Sequence, residues 1–386
     1  MDHLHQAFSV RFTYSVFFTE RLFDTTNLLF ADFLRQQATE DTRKKLLFVV
    51  DSSVVATHPT LLADIKTYFG QHTDLIELVA EPLVIPGGEV AKNEPDYVEK
   101  IVDAVDRYGI DRHSYVAAIG GGSILDMVGY ATAISHRGIR HIRIPTTVLS
   151  QNDSGVGVKN GVNYRGKKNF LGTFVPPIAV FNDSAFLTTL DDRDWRSGIA
   201  EAVKVALIKD LRFFEWIEAN APALAARDRT AMQTLIHRCA QMHLDHIAGG
   251  DPFEMGSSRP LDFGHWSAHK LEQLTDFEIR HGEAVAIGIA LDSLYSQQPG
   301  WLTEADANRI LVTLQTLGFA IYHPMLYANN SAGILKGLAE FREHLGGQLT
   351  IMLLKQLGQG IEVHDMDADR IRQAIATLKK QELVNQ

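Results

Sequence analysis

The sequence has little cysteine, no excess of positive charge and no long apolar run. Cys239 is the single cysteine among 386 residues, which excludes an internal disulfide and favours a reducing compartment. We interpret it as a small buried residue. Lys and Arg number 37 against 47 Asp and Glu, a net charge of −10, which argues against a general nucleic-acid binder. Without a run of about 18 apolar residues, no membrane span is expected.

The N-terminus, MDHLHQAFSV, lacks the basic-then-apolar layout of a signal peptide. No internal repeat and no low-complexity linker interrupts the chain. We therefore expect a cytoplasmic protein. The length exceeds what one compact core usually holds, so two domains are expected.

Short apolar runs alternate with helical patterns in the N-terminal half. The predicted strands are KLLFVVD, the run at 75–79, YVAAIG and HIRIP, and the predicted helices cover 25–38, 59–70 and 95–108. Alternating apolar residues from Phe8 to Phe18 predict a further strand, bent or folded as a hairpin. Strands alternating with helices indicate an α/β domain with a parallel, doubly wound, Rossmann-like sheet.

From about residue 186, helical periodicity dominates. The predicted helices cover 196–209, 211–226, 229–248, 265–276, 282–296, 303–317, 331–344 and 367–381, and QLTIMLLKQLG is predicted as a strand pair or core segment. We therefore predict an α/β domain at 1–185 followed by a mainly helical domain at 186–386.

A glycine turn, GGGSILD at 120–126, follows a predicted strand and opens a predicted helix. Glycines let a backbone approach a pyrophosphate, and a helix N-terminus favours its charge. The turn is not GxGxxG, so a tight turn without a ligand is an equal alternative. PGGE at 86–89 is a second glycine turn. Asp51, at a strand end, is placed either to bind ribose hydroxyls or as an ordinary turn residue.

Residues 136–168 form a basic island in an acidic protein. Its seven cations, against the single acid Asp153, are Arg137, Arg140, Arg143, Lys159, Arg165, Lys167 and Lys168. Such an island suggests an anionic ligand, with a solvated basic face as the alternative.

Three residues form a candidate metal site: Glu201, His265 and His281. Catalytic zinc takes three ligands of this kind and keeps one position open. His269, four residues after His265, could point the same way on a helix and is an alternative ligand. Lys204, three residues after Glu201, shares its helical face and could pair with it.

The ordered set of motifs resembles the sugar phosphate cyclases, the 3-dehydroquinate synthase superfamily, over about residues 45–355. The motifs are PGGE, GGGSILD, PTT, the Asp and Lys of NDSGVGVK, GKKN, AEAVK, FGHWSAH and RHGEAVAIG. The resemblance implies a dehydroquinate synthase-like fold, bound NAD, zinc or cobalt, and a homodimer.

The resemblance also implies site residues. Its zinc ligands correspond to Glu201, His265 and His281. Its NAD positions correspond to Asp51, Glu89, Lys92, Gly121, Gly122, Asp126, Thr146, Thr147 and Lys168, with Phe186, Thr189 and Leu190 nearby. Its catalytic, substrate and phosphate positions correspond to Arg137, Asp153, Lys159, Asn169, Lys204, Glu254, His269 and, with a one-residue shift, Arg259.

The implied reaction converts a sugar phosphate to a carbocycle by NAD-mediated oxidation, phosphate elimination, reduction and aldol closure. The cation polarises the oxygen that is oxidised, and the basic residues hold the phosphate. We therefore expect a carbon–oxygen lyase in which NAD is regenerated.

One position departs from ordinary 3-dehydroquinate synthases, in which LNxGH precedes the zinc histidine. The sequence here is LDFGH, so Asp262 replaces an asparagine that helps to hold a substrate carboxylate. The downstream lysine pair is also missing from EFREHLGG. A carboxylate repels another carboxylate and accepts hydrogen bonds from hydroxyls. We predict a sugar phosphate without a carboxylate, such as sedoheptulose 7-phosphate.

Three alternatives remain open from the sequence. The first is an ordinary 3-dehydroquinate synthase. The second is a metal-dependent NAD polyol or alcohol dehydrogenase, against which the basic island, Lys159 and Lys204 argue. The third, a catalytically inactive scaffold, is disfavoured by the full set of candidate metal ligands and lysines.

Overall fold

The computed structural model describes residues 2–37, 43–165, 167–249, 251–253, 261–344 and 349–384. Two compact units are formed. The first comprises Met1–Thr146 and Gly157–Ala185, and the second comprises Thr147–Val156 and Phe186–Gln386. Residues 147–156 thus belong with the second unit. The boundary that we place after residue 185 stays a prediction.

The first unit is built on a parallel sheet. Its strands, within the described ranges, are β1 (Ser15–Thr19), β2 (Lys44–Asp51), β3 (Ile76–Leu78), β4 (Leu83–Ile85), β5 (Tyr115–Gly120), β6 (Arg140–Pro145) and β9 (Ala179–Asp183). Their order is β1-β9-β6-β5-β2-β3, and β4 also pairs with β2. The strand pairs are parallel. β5 is buried along its whole length, which explains why these strands are continuous apolar runs.

Helices and one hairpin complete this unit. The helices are α1 (Leu29–Gln37), α2 (Ser52–Thr57), α3 (Leu61–Gly70), α4 (Pro95–Arg107) and α5 (Gly122–Ile134). The hairpin pairs β7 (Lys159–Tyr164) with β8 (Lys167–Phe174). The predicted α/β class with a parallel sheet is confirmed.

The strand predicted from Phe8 to Phe18 is wrong for most of its length. Strand β1 starts only at Ser15, where its register with β9 begins. Residues 2–14 have no regular structure, and Phe8 is 83% exposed. Alternation of apolar residues predicts a strand only where a neighbouring strand provides hydrogen-bond partners, and that pairing begins later than the sequence pattern.

The second unit is mainly helical, as predicted. Its helices within the described ranges are α6 (Asp192–Lys209), α7 (Leu211–Ala225), α8 (Arg229–Ala248), α9 (His265–Leu274), α10 (His281–Gln297), α11 (Glu304–Thr316), α12 (Ala332–His344) and α13 (Ala368–Val384). An antiparallel pair is formed by β10 (Ile351–Gln356), which lies in the segment predicted as a strand pair or core segment, and β11 (Gln359–Val363), which follows that segment.

Two helices of this unit, α6 and α10, are buried on nearly all sides. In α6 the run from Ser197 to Ile208 is buried throughout, including Glu201 and Lys204. A helix that is buried all round lies in the core, so its polar residues need partners there. Among the described helices, none combines the length and apolarity required to cross a membrane.

Candidate active site

Close backbone contacts at glycines bring α6, α9 and α10 together. A Cβ atom on Gly282, near the start of α10, would lie 2.3 Å from the carbonyl oxygen of Ser197 in α6. A Cβ on Gly288 would lie 2.1 Å from the carbonyl oxygen of Gly264. Gly264 has a φ of 78° and caps the N-terminus of α9. Only glycines permit this approach, and it sets the spacing of the side chains that these helices carry.

The three candidate metal ligands converge in the second unit. Oε1 of Glu201 lies 3.6 Å from Nε2 of His265 and 3.4 Å from Nε2 of His281. One candidate ligand atom from each residue lies within 4.8 Å of the other two. Glu201 is 1% exposed and His265 is 8% exposed. A buried carboxylate with two imidazoles is a donor set that suits zinc or cobalt, so these residues fit a divalent cation.

Electrostatics keep these groups in metal-binding states. Burial alone would raise the pKa of Glu201, but Lys204 and the two histidines hold it well below its usual value. Burial, and then the charge of Lys204, lower the pKa of His265. A carboxylate anion and a neutral imidazole are the forms that bind a cation.

Lys204 forms a buried ion pair with Glu201 one helical turn away. Burial alone would lower the pKa of Lys204, but the charges of Glu201 and Asp153 outweigh burial and raise it. Lys204 is therefore a fixed ammonium at neutral pH, which can donate hydrogen bonds but cannot act as a base.

Asp153 lies in a π-helical turn, Ser150–Ser154, against which α8 packs. Its Oδ1 is 2.8 Å from Nδ1 of His243 on α8. Burial alone would raise the pKa of Asp153, but His243 outweighs burial and lowers it. The sequence reasoning missed His243, because no motif links it to Asp153 and only the packing of α8 brings them together.

His269 lies beside the candidate ligands. Its ring centroid is 5.4 Å from that of His265 and 5.8 Å from that of His281. A second metal-capable combination joins His269, Glu272 and His281. This second combination lacks His265, so it differs from the pairing of His265 with His269 that the sequence left open. Glu272, also missed, is seven residues after His265 on one face of α9, a spacing that could have identified it.

Asp262 directly precedes this helix. Its backbone carbonyl accepts a hydrogen bond from the amide of His265 at 3.0 Å. Its carboxylate is close enough to Lys204 and His265 for its charge to favour their protonated forms. Asp262 therefore lies near the candidate metal ligand His265 and near Lys204.

In the first unit, several residues predicted to bind NAD form one polar network. The ammonium of Lys92, 4% exposed, lies 2.9 Å from Oδ2 of Asp126 and also donates to Asn169. Glu89 lies 4.0 Å from Lys92 and accepts from Asn163 at 3.1 Å. Asn169, predicted to contact substrate, thus lies beside candidate cofactor residues. Asn163 was missed.

The glycine turn takes the predicted form. Gly121 is extended and caps α5, which begins at Gly122 directly after β5. Asp51 caps α2 and accepts hydrogen bonds from the amide and hydroxyl of Ser53. A Cβ on Gly87 would lie 1.9 Å from Oδ2 of Asp51. A helix N-terminus after a glycine and a carboxylate at a strand end fit a dinucleotide.

The remaining predicted residues are spread over both units. Lys159 and Lys168 are exposed on the hairpin, Arg137 is exposed, and Thr146 is buried. In the second unit Thr147 contacts the hydroxyl of Ser150, Phe186 is buried and accepts from Thr189, and Leu190 packs against the core. Glu254 and Arg259 lie outside the described residues. Their site roles, like those of the other residues above, stay predictions.

Arg143 does not belong to an exposed basic face. It is fully buried in β6, and its guanidinium donates to the carbonyls of Gly157 and Lys159 and to the side chain of Asn160. It thus ties the hairpin to the sheet. Arg143 is therefore not part of the exposed charge of the basic island, and sequence charge alone does not reveal this burial.

Several known proteins are similar to this chain in sequence or in structure. The family description 3-dehydroquinate synthase N-terminal matches residues 82–197, and 3-dehydroquinate synthase C-terminal matches residues 198–341. The 3-dehydroquinate synthase of Acinetobacter baumannii (strain AYE) is 36% identical over 313 residues, which are 80% of this chain and 85% of that protein.

A second relative extends over more of the chain. The 2-epi-5-epi-valiolone synthase of Streptomyces hygroscopicus subsp. jinggangensis (strain 5008) is 33% identical over 381 residues, 96% of this chain and 88% of that protein. A solved structure of 2-epi-5-epi-valiolone synthase from this organism, with NAD⁺ and Zn²⁺ bound, has a TM-score of 0.87 at 32% identity. It covers 98% of this chain and 100% of that one.

The fold and these matches put the chain in the sugar phosphate cyclase superfamily, where it belongs to the 3-dehydroquinate synthase family. The resemblance inferred from the ordered motifs is thereby confirmed, as is the dehydroquinate synthase-like fold.

Proposed function

We propose that the protein is an NAD- and divalent-metal-dependent sugar phosphate cyclase, a carbon–oxygen lyase, whose substrate carries no carboxylate. Sedoheptulose 7-phosphate is the substrate that we favour, and a valiolone-type cyclitol is the product. The observation that carries this choice is Asp262, whose carboxylate acts on Lys204 and His265. The similarity to 2-epi-5-epi-valiolone synthase over 96% of the chain supports it.

Groups of each unit have defined tasks in this proposal. Glu201, His265 and His281 would hold the cation, and residues around Asp51, Lys92 and Gly122 would hold NAD. When bound, NAD accepts and returns a hydride, and the cation supplies Lewis acidity.

Lys204 donates to an oxygen of the substrate, because its ammonium stays protonated in the pair with Glu201. Asp153, kept anionic by His243, accepts a hydrogen bond from a hydroxyl. His269 acts on the phosphate or on a proton that moves beside it. Asp262 accepts from hydroxyls of the polyol end and repels a substrate carboxylate.

The test is phosphate release from a panel of sugar phosphates, with NMR of the product. Turnover of sedoheptulose 7-phosphate with little turnover of the heptulosonate 7-phosphate acid is expected. The matched variant Asp262→Asn removes the charge and keeps the shape, and it should improve turnover of the acid relative to wild type. Clear turnover of the acid alone would overturn the substrate proposal and identify a 3-dehydroquinate synthase, the alternative that the A. baumannii relative supports.

A second readout separates a cyclase from a dehydrogenase. A cyclase regenerates NAD, so absorbance at about 340 nm should stay flat while phosphate is released. Net NADH accumulation with a polyol, without phosphate release, would instead indicate a dehydrogenase. The cytoplasmic location and the homodimer stay predictions.

A further inference from the structure

Glu272 is a buried carboxylate in α9 that has no role in the reaction proposed above. It is 4% exposed, and its Oε2 lies 3.4 Å from Nδ1 of His281 on α10. Burying an ionised carboxylate is costly unless it has a partner. A functional role would explain why this carboxylate is buried.

The two ring nitrogens of His281 face two different carboxylates. Nε2 lies 3.4 Å from Oε1 of Glu201, and Nδ1 faces Glu272 at the same distance. A neutral imidazole carries its proton on one nitrogen and offers a lone pair at the other. Glu201 is already paired with Lys204, so Glu272 is the carboxylate better placed to hold the proton, on Nδ1, and the lone pair of Nε2 is then directed at Glu201.

His265 shows the same arrangement with a backbone partner. Its Nδ1 lies 3.1 Å from the carbonyl oxygen of Phe263, and its Nε2 faces Glu201 at 3.6 Å. Both histidines thus place an acceptor behind Nδ1 and direct Nε2 at one carboxylate oxygen. Only for His281 is that acceptor a side chain, which a substitution can remove.

We propose that Glu272 is a positioning residue of the metal site. By accepting the Nδ1 proton of His281, it fixes the tautomer and the ring orientation in which Nε2 binds the cation. Carboxylates behind metal-binding histidines act in this way in other proteins. The inference rests on the proposed function, because it assumes that Glu201, His265 and His281 hold the cation.

A competing assignment makes Glu272 itself a ligand, together with His269 and His281. The geometry favours the positioning role. One oxygen of Glu201 faces Nε2 of both His265 and His281, so three donors converge there. Glu272 faces the nitrogen on the far side of the His281 ring from that point.

The experiment measures the affinity of the full-length protein for Zn²⁺ by chelator competition, without substrate or NAD. Glu272→Gln is isosteric but leaves the tautomer of His281 unfixed, and Glu272→Leu removes the acceptor. We expect the Kd for Zn²⁺ to rise about 10- to 100-fold in Glu272→Gln and further in Glu272→Leu. The control is Glu340→Gln. Glu340, on α12, pairs with Lys270 on α9, the helix that carries Glu272, but Glu340 is half exposed. It should leave the Kd unchanged.

Cobalt separates positioning from ligation. At saturating Co²⁺, the visible spectrum of Glu272→Gln should keep the shape and intensity of the wild-type spectrum, because the ligands are unchanged. Circular dichroism and thermal unfolding of the metal-free variants show whether they are folded. A folded Glu272→Leu with wild-type Zn²⁺ affinity would overturn the proposal.

Two further outcomes are distinguishable. If Glu272→Gln and His269→Ala both lose the metal while Glu201→Gln keeps it, Glu272 is a ligand of the other combination and the positioning role is wrong. If the wild-type protein binds no cation, the proposed metal site fails and this inference fails with it. If the wild-type protein binds the cation and Glu272→Leu binds it with the same Kd, only this inference is refuted.

Discussion

In the first unit some candidate cofactor residues lie at helix ends, whereas in the second unit the candidate metal residues lie inside or at the start of helices. Gly121 and Asp51 are helix caps that follow strands. Glu201 and Lys204 lie in the middle of α6, where every neighbouring position is buried. The helix ends of the first unit present backbone amides to a ligand. The buried helices of the second unit carry charges that only other side chains can balance.

This difference has an energetic consequence. A polar turn residue loses little stabilising energy when its ligand is absent, because water can replace the ligand in its hydrogen bonds. A buried charge has no such substitute, so removing one member of the cluster leaves another uncompensated. Substitution of a buried charge in the second unit should therefore lower the free energy of unfolding more than substitution of a turn residue in the first, and it should also weaken metal binding.

The largest effect is expected from His265→Ala. Loss of one of the three proposed ligands should remove the bound cation, and with it several kcal/mol of charge stabilisation. At about 1.4 kcal/mol per tenfold in rate, phosphate release should fall on the order of a thousand-fold. Metal content by mass spectrometry and phosphate assays check this. The matched variant His269→Ala should keep the metal and lose rate. Loss of the metal from both variants would show that His269 is also a metal ligand.

Lys204→Met should destabilise the metal-free protein by about 3 kcal/mol, because breaking a buried ion pair leaves Glu201 without a cation. Urea unfolding of the metal-free protein measures this change. Lys270→Met is the control, since its partner Glu340 is half exposed and such pairs contribute under about 1 kcal/mol. If the free energy of unfolding fell equally in Lys204→Met and Lys270→Met, the expected difference between a buried and an exposed ion pair would be wrong.

Asp292, fully buried in α10, accepts from the amide of Gly264 and from Nε1 of Trp266. Burial raises its pKa to about 7, from an ordinary value of 3.8. Between these values the folded state binds the proton more tightly than the unfolded chain. The free energy of unfolding should therefore fall as pH rises towards 7.

Asp292→Asn cannot ionise and should lack this dependence. Its stability relative to wild type should rise by about 2 kcal/mol between about pH 5.5 and pH 7, at up to about 1.4 kcal/mol per pH unit. Denaturant unfolding at several pH values measures the difference between the two proteins. A difference that does not change with pH would show that Asp292 does not titrate in this range.

The smallest effect is expected from Lys92→Met in the first unit, because the side chain of Asp126, its carboxylate partner, is 20% exposed and can be hydrated. Lys92→Met removes the cation that joins Asp126 and Asn169. A lost charged hydrogen bond of about 1.5 kcal/mol should weaken NAD binding roughly tenfold. Calorimetric titration with NAD measures this, and zinc content should stay at the wild-type level. Loss of zinc in this variant would show that the two sets of residues are not independent.

Much of the fold could be predicted from local pattern. Apolar runs such as YVAAIG marked the buried parallel strands, and the helices from α6 onward were predicted to within a few residues. The prediction of a strand from Phe8 was wrong because pairing with a neighbouring strand, and not the alternation of apolar residues, decides where a strand begins. The burial of Arg143 could not be predicted, because the sequence shows its charge but not that it donates to the backbone carbonyls of Gly157 and Lys159.

The candidate metal residues and their family were determined by the sequence alone, because residue type and order along the chain carry that information. Their geometry was decided only by the tertiary structure. Asp153 meets His243, and His281 meets Glu272, across helices that no short motif connects. These pairs form because buried charges must find partners, and which partners are in reach depends on how closely glycines let the helices approach.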